Sequence, residues 1–314
     1  MSRISIYIAY HKMGQFVQSS CLYPIHVGKT LATESLPIPG DDSGLSISGK
    51  NKTFCELTAV YWAWKNDQVS DYIGLMHYRR FLDLSTSTDR NVSPWGTVDF
   101  PQITDALISD LGLTRQNIER YTSQYDVILP APWDVRGQGF SCLYDEYAAA
   151  ADHFGKDLDA AEAIIRQLHP DYIESYMRVV KQGSAGYFTN MFIMRRAIFS
   201  DYCDWLFSIL FALEIAIDTS SYTPSGQRVF GYIAERLCGV YIDRLQKNEP
   251  NIRIATVNRA WVANASEPSA KDRSQLRHVR RALWLLWKPI PFPVKRALTP
   301  VRQYLRRRFG SGAP

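Results

Sequence analysis

The stretch Asp71-Tyr72-Ile73-Gly74-Leu75-Met76-His77-Tyr78-Arg79-Arg80-Phe81-Leu82 decides how this chain is read. Residues 72–76 are an apolar run of strand length, and the run ends in an imidazole, a phenol and two guanidiniums. A core has little use for that sequence of side chains, but an anion site does. Guanidinium forks match phosphate oxygens two at a time, and open α/β sheets bind ligands at the carboxyl ends of their strands. The competing reading is a strand that runs out to a solvated, salt-bridged edge.

Working outward, strand and helix patterns alternate. Residues 4–9 are rich in β-branched and aromatic side chains and predict a first strand, with Tyr10-His11-Lys12 at its carboxyl end. Residues 23–27 predict a second strand, and the Pro/Gly/Ser-rich residues 37–49, with Asp41-Asp42, predict a loop. Residues 51–66 read as one helix, with Thr53 and Glu56 at capping-box spacing. Helices are expected over 104–121, 157–168, 170–180, 198–217 and 229–246, and strands over 125–130, 187–194 and 252–257. This alternation predicts an α/β fold.

The composition is that of a globular domain: 46% of the 314 residues are hydrophobic and 21% charged. The five cysteines are odd in number and form no C-x-x-C pair, which argues against a disulfide framework or a zinc site and fits a cytoplasmic chain. The net charge of +5 is unevenly distributed. Residues 271–309 hold 12 Lys/Arg and one acid, leaving 24 basic and 30 acidic residues elsewhere, a net of −6. No general basic field attracts nucleic acid to the body. In the tail, Leu276, Val279, Leu283, Leu286 and Trp287 share one helical face, with Arg277, Arg280 and Arg281 on the other. A second such piece follows Pro293. Basic amphipathic helices bearing aromatics bind anionic lipid surfaces. The chain is therefore divided into a domain over residues 1–265 and a membrane-associating tail over 266–314.

No G-x-G-x-x-G, P-loop, G-x-S-x-G or H-E-x-x-H is present, nor an Asp-x-Asp at a strand end. Fixed cations at residues 77–80 could stabilise a departing diphosphate without a metal. No metal site and no cofactor are expected. Asp41-Asp42 reads as a turn.

The chain resembles one bacterial family through several stretches in order. They are Tyr10-His11-Lys12, Pro24-Ile25-x-Val27-Gly28, Asp41-Asp42-Ser43-Gly44, Asn51-Lys52, Cys55-Glu56-Leu57-Thr58-Ala59-x-Tyr61-Trp62-x-Trp64-Lys65-Asn66 and Tyr72-Ile73-Gly74-Leu75-x-His77-Tyr78-Arg79-Arg80-Phe81. Weaker likenesses continue through Tyr125 to Pro130, Asn190 to Met194 and Gln227 to Leu237. Members of that family are found in capsule, exopolysaccharide and O-antigen biosynthesis. The family was long catalogued only as a domain of unknown function and is now regarded as glycosyltransferases.

The resemblance implies a GT-A-like, Rossmann-type mixed sheet flanked by helices. It implies a nucleotide-sugar donor, UDP-galactose or UDP-galactofuranose, and a polyprenyl-diphosphate-linked glycan as acceptor at the inner membrane. On this sequence His11 and Lys12 would border the nucleotide. Asp42, Asn51, Lys52 and Glu56 would border the donor sugar or fix the loop that does. His77, Tyr78, Arg79 and Arg80 would hold the diphosphate, Asn190 would face the acceptor, and Arg228, Glu235 and Arg236 would close the far side. An inverting transfer needs a carboxylate to take the acceptor's proton. Glu235 is the candidate, with Asp126, Glu214 and Asp218 as rivals. A non-catalytic membrane scaffold is the alternative from another class.

Overall fold

A computed structural model describes residues 2–87, 90–93, 97–150 and 152–263. The boundary at 265/266 and the basic tail lie outside the described residues. The strands are β1 (Ile4–Tyr10), β2 (Leu22–His26), β3 (Tyr72–His77), β4 (Arg80–Leu82), β5 (Thr97–Phe100), β6 (Val127–Pro130), β7 (Trp133–Asp134), β8 (Ala185–Gly186), β9 (Phe192–Arg195), β10 (Ile254–Val257) and β11 (Arg259–Val262). The helices are α1 (Asn51–Phe54), α2 (Leu57–Asn66), α3 (Asp105–Asp110), α4 (Arg115–Gln124), α5 (Leu143–Ala149), α6 (Gly155–Leu168), α7 (Ile173–Tyr176), α8 (Arg196–Ala216) and α9 (Val229–Asn248).

The main sheet runs β2-β1-β3-β9-β6-β10, and β9 alone is antiparallel to its neighbours. A ribbon of β4, β11 and β5 joins it through the β3–β4 hairpin. This is the expected mixed sheet flanked by helices. Its faces follow the period of two. Tyr7, Ala9, Ile73 and Leu75 enter the core built with α2, α8 and α9. Ile6, Ile8, Tyr10, Tyr72 and Met76 enter the core on the other face, which includes Leu107 and Ile118 of α3 and α4. With both faces covered, β3 has to be a continuous apolar run. Gly74 lets β9 approach: a Cβ there would lie 2.9 Å from the Phe192 carbonyl oxygen and from Ile193 Cγ1.

Several local expectations are corrected. Residues 51–66 are two helices, because Cys55 adopts φ 54° and breaks the ladder. Glu56 makes no side-chain cap, and Thr53 donates to the Lys50 carbonyl instead. Residues 104–121 likewise divide into α3 and α4 around Gly112, at φ 65°. The strand expected over 187–194 starts only at Phe192, since residues 188–190 form a left-handed turn. The expected end of β3 is a hairpin: Tyr78 and Arg79 make the turn, and Arg80 pairs back against His77.

Candidate functional site

β1 and β3 are parallel, so His11-Lys12 and the 78–79 turn emerge at one edge of the sheet. β9 runs the other way, so its start lies at that same edge and brings Thr189 and Asn190 there. Arg228 stands just before α9, whose first turns supply Glu235 and Arg236.

The hairpin is pinned at two backbone points. Tyr78 N–H donates to the Ala9 carbonyl (3.1 Å), and Val262 N–H donates to the Arg79 carbonyl (2.8 Å). The guanidiniums of Arg79 and Arg80 lie 5.1 and 4.6 Å from the Trp261 ring centroid. Such cation–π contacts contribute about 0.5–2 kcal/mol each. Tyr78 gathers three neighbours: the His11 ring edge-on at 5.0 Å, Lys12 Nζ at 5.6 Å and the Arg79 guanidinium at 5.3 Å. Burial keeps His11 below the ordinary imidazole value, and the charges of Lys12, Arg228 and Arg79 push it the same way. Burial also lowers His77, against the pull of Glu56 and with Arg80 adding to the depression. The positive charge of the hairpin therefore rests on its two arginines. Burial lowers Arg80 as well, opposed by Glu235 and Glu56.

Behind the hairpin sit two carboxylates pushed in opposite directions. Burial pushes Glu56 up, but the neighbouring His77, the Asn190 amide and Arg228 outweigh it and hold Glu56 below its usual value. Glu235 is raised by burial and by the charge of Glu56, in spite of Arg236. Glu235 accepts from Thr189 N–H (2.8 Å) and pairs with Arg236 Nη1 (2.9 Å). Arg236 is only 3% exposed, and its other terminal nitrogen pairs with Glu146 at 2.6 Å. Its guanidinium packs on Tyr147 and Phe188. It is an internal clamp on two carboxylates. Arg228, which is exposed, reaches back to Cys55 Sγ through Nε (3.3 Å). Arg259, buried beside this group, donates to the Tyr187 carbonyl (3.0 Å), and burial brings it down to about 10.

Phe188, Thr189 and Asn190 have φ values of 43°, 75° and 49°. Three successive non-glycine residues in the left-handed region, one of them β-branched, store about 1–3 kcal/mol each.

Not every expected residue joins this cluster. Asp42 is exposed and pairs with Lys29 at 3.4 Å, while buried Asp41 organises the loop by accepting from Gly28 N–H, Lys29 N–H and the Ser48 hydroxyl. Asn51 bridges the α1–α2 corner by donating to the Cys55 carbonyl (2.7 Å), and Lys52 is exposed on α1. Of the rival bases, Asp126 sits at the amino end of β6 with Arg253 on it. Glu214 pairs with Lys50, and exposed Asp218 accepts from Ser220 N–H. Sequence reasoning missed Glu146, Thr189, Arg259 and Trp261. Arg259 and Trp261 had one signal, the alternating Arg-Ala-Trp-Val stretch just before the tail. Thr189 acts through its backbone and left none.

Among the described residues no group of three His, Cys, Asp or Glu side chains could hold a metal ion. No helix there is long and apolar enough to cross a membrane. All five cysteines are buried and free.

A chain with this fold and these motifs belongs to the family described as domain of unknown function DUF4422, whose profile matches residues 5–248. Among solved structures, it is similar to the apo structure of WbbM, a bifunctional glycosyltransferase, at 40% identity and a TM-score of 0.80. That match covers 83% of this chain and 45% of WbbM, so the chain spans less than half the length of that protein. The GT-A-like expectation for the fold is met. No curated protein sequence matches the chain.

Proposed function

We propose that the chain transfers a sugar from a nucleotide-sugar donor to a lipid-linked glycan in the synthesis of capsule, exopolysaccharide or O-antigen. The observation that carries this reading is the pairing, at one sheet edge, of the Arg79–Arg80 hairpin with the buried carboxylate Glu235, whose proton affinity burial raises. Likeness to a bifunctional glycosyltransferase over most of this chain supports it. The donor is UDP-galactose or UDP-galactofuranose. The acceptor is a polyprenyl-diphosphate-linked oligosaccharide, reached at the cytoplasmic face of the inner membrane through the tail over residues 266–314.

In this reading the acceptor hydroxyl gives its proton to Glu235 while its oxygen bonds to the anomeric carbon. The bond from that carbon to the diphosphate oxygen breaks, and the electron pair leaves with UDP. Arg79, Arg80 and Arg228 place positive charge where the leaving group becomes negative, in the role a divalent ion would otherwise fill. His11, Lys12 and Tyr78 border the nucleotide, and Glu56 borders the donor sugar. The test is a panel of nucleotide sugars, with UDP release followed in excess chelator. Turnover of one donor with chelator present is expected, and it should disappear in Arg79→Ala and Arg80→Ala with the fold intact by circular dichroism. A strict need for manganese or magnesium would refute the metal-free step, and full activity of either variant would refute the diphosphate assignment.

A further inference from the structure

The left-handed turn at residues 188–190 makes four hydrogen bonds to three different elements. The Thr189 carbonyl lies 2.6 Å from His77 Nε2 on β3, and Thr189 N–H donates to Glu235 on α9. Asn190 Nδ2 donates to Glu56 Oε1 (2.8 Å) and to the Gly231 carbonyl (3.1 Å). Both Asn190 partners are acceptors, so only the amide nitrogen can face them, and the orientation of the side chain is fixed by chemistry. Asn190 is 4% exposed and its Oδ1 is buried without a partner among the described residues. Thr189 Oγ1 is buried without a partner too. A turn that is strained and leaves two polar atoms unsatisfied is a poor connector but a rigid one.

We propose that residues 188–190 are a positioning turn: the Thr189 peptide and the Asn190 amide hold His77, Glu235 and Glu56 in one fixed arrangement, and Asn190 acts through Glu56. This rests on the reading of the site given above only where turnover is concerned. The groups facing Glu56 are His77 from β3, Arg80 from β4, Asn190 from the turn, and Arg228 and Glu235 from the α9 region, with Cys55 beside it in the chain. Asn190 supplies the one neutral side-chain donor among the contacts that favour its charged form, beside Glu56's own backbone N–H.

The test is the titration of Glu56 in the intact protein, followed by carboxyl carbon NMR and assigned with Glu56→Gln. It needs no substrate, so it succeeds or fails independently of the sugar-transfer reading. Asn190→Gly suits the left-handed backbone and removes the donor. Its Glu56 midpoint should rise by about one pH unit, the scale of one charge-assisted hydrogen bond. Asn190→Asp keeps the size but turns oxygen toward Glu56 and Gly231, and should raise it at least as far. Thr189→Gly loses no hydrogen bond, so it should leave Glu56 unmoved while raising the melting temperature. In the Asn190 variants donor turnover should fall about 100-fold, as for a misplaced reacting group. An unchanged Glu56 midpoint in whichever Asn190 variant folds overturns the proposal, as does wild-type turnover in Asn190→Gly.

Discussion

Arg236→Met isolates the buried clamp behind the site. The variant keeps most of the side-chain volume against Tyr147 and Phe188 but strips the charge from between Glu235 and Glu146. The wild-type pairs measure 2.9 and 2.6 Å around a guanidinium that is 3% exposed, so solvent cannot replace it. Removing one partner of a buried ion pair costs about 3–5 kcal/mol, because the charge left behind has nowhere to go. For a domain of this size that lowers the melting temperature by roughly 10 °C. The loss also depends on pH. Glu235 already holds its proton more tightly when folded than a free carboxyl does, and removing Arg236 raises its folded value further. A group with a raised folded value favours the fold below its unfolded value, and that contribution disappears as pH rises through the folded one. The deficit of Arg236→Met should therefore be largest near pH 8 and shrink toward pH 5. Calorimetric scans of both proteins at the two pH values, without ligand, decide it. A melting temperature within 2 °C of wild type at pH 8, combined with a weakened donor KM, would show that Arg236 contacts substrate instead.

Three further outcomes follow from the same geometry and from the tail. Glu235→Gln should lower turnover by about 10²–10⁴-fold while preserving the fold. In the wild type, activity should fall on acidification through a midpoint above the usual carboxylate value, since burial raises Glu235 and the base must be ionised to act; a pH profile with no such limb would remove Glu235 as the base. Deleting residues 266–314 should abolish co-flotation with vesicles containing anionic lipid and leave turnover of a soluble acceptor in place, whereas undiminished flotation would assign membrane contact to the body.

The sheet was legible because β1 and β3 are covered on both faces, and such strands write themselves as unbroken apolar runs. The hairpin was half legible. His77-Tyr78-Arg79-Arg80 suggested an anion site at a strand end, yet the turn hides behind residues with no Gly, Asn or Pro to mark it. It is held by backbone bonds to Ala9 and Val262, and Val262 is 183 residues from Arg79 in sequence (262 − 79), which no local pattern encodes. The break at Cys55 was invisible for a similar reason. A cysteine at positive φ is chosen by what packs around it, here Arg228 on its sulfur and the α9 backbone at Gly231, and not by its own preference. Glu56 consequently looked like a cap, when its carboxylate belongs to Asn190 and His77. Arg236 looked like a substrate contact because it stands beside Glu235, but on a helix adjacent residues need not face the same space, and Arg236 turns inward.

On the proposed reading, the placement of Trp261 explains how Arg80 could serve an anion. A buried or half-buried guanidinium is ordinarily neutralised by a carboxylate, which would then compete with any incoming phosphate. Among the described residues Arg80 has no carboxylate within ion-pair distance, although Glu235 and Glu56 are near enough to act on it electrostatically. Its guanidinium face lies against the indole, which offsets part of the desolvation without using its N–H donors. The indole reaches that place because β11 pairs antiparallel with β4, setting Trp261 directly opposite Arg80. Replacing Trp261 with a residue that cannot stack would leave the charge but not its orientation. On the reading proposed above, the second ribbon would belong to the anion site, since its indole backs the arginines of the hairpin.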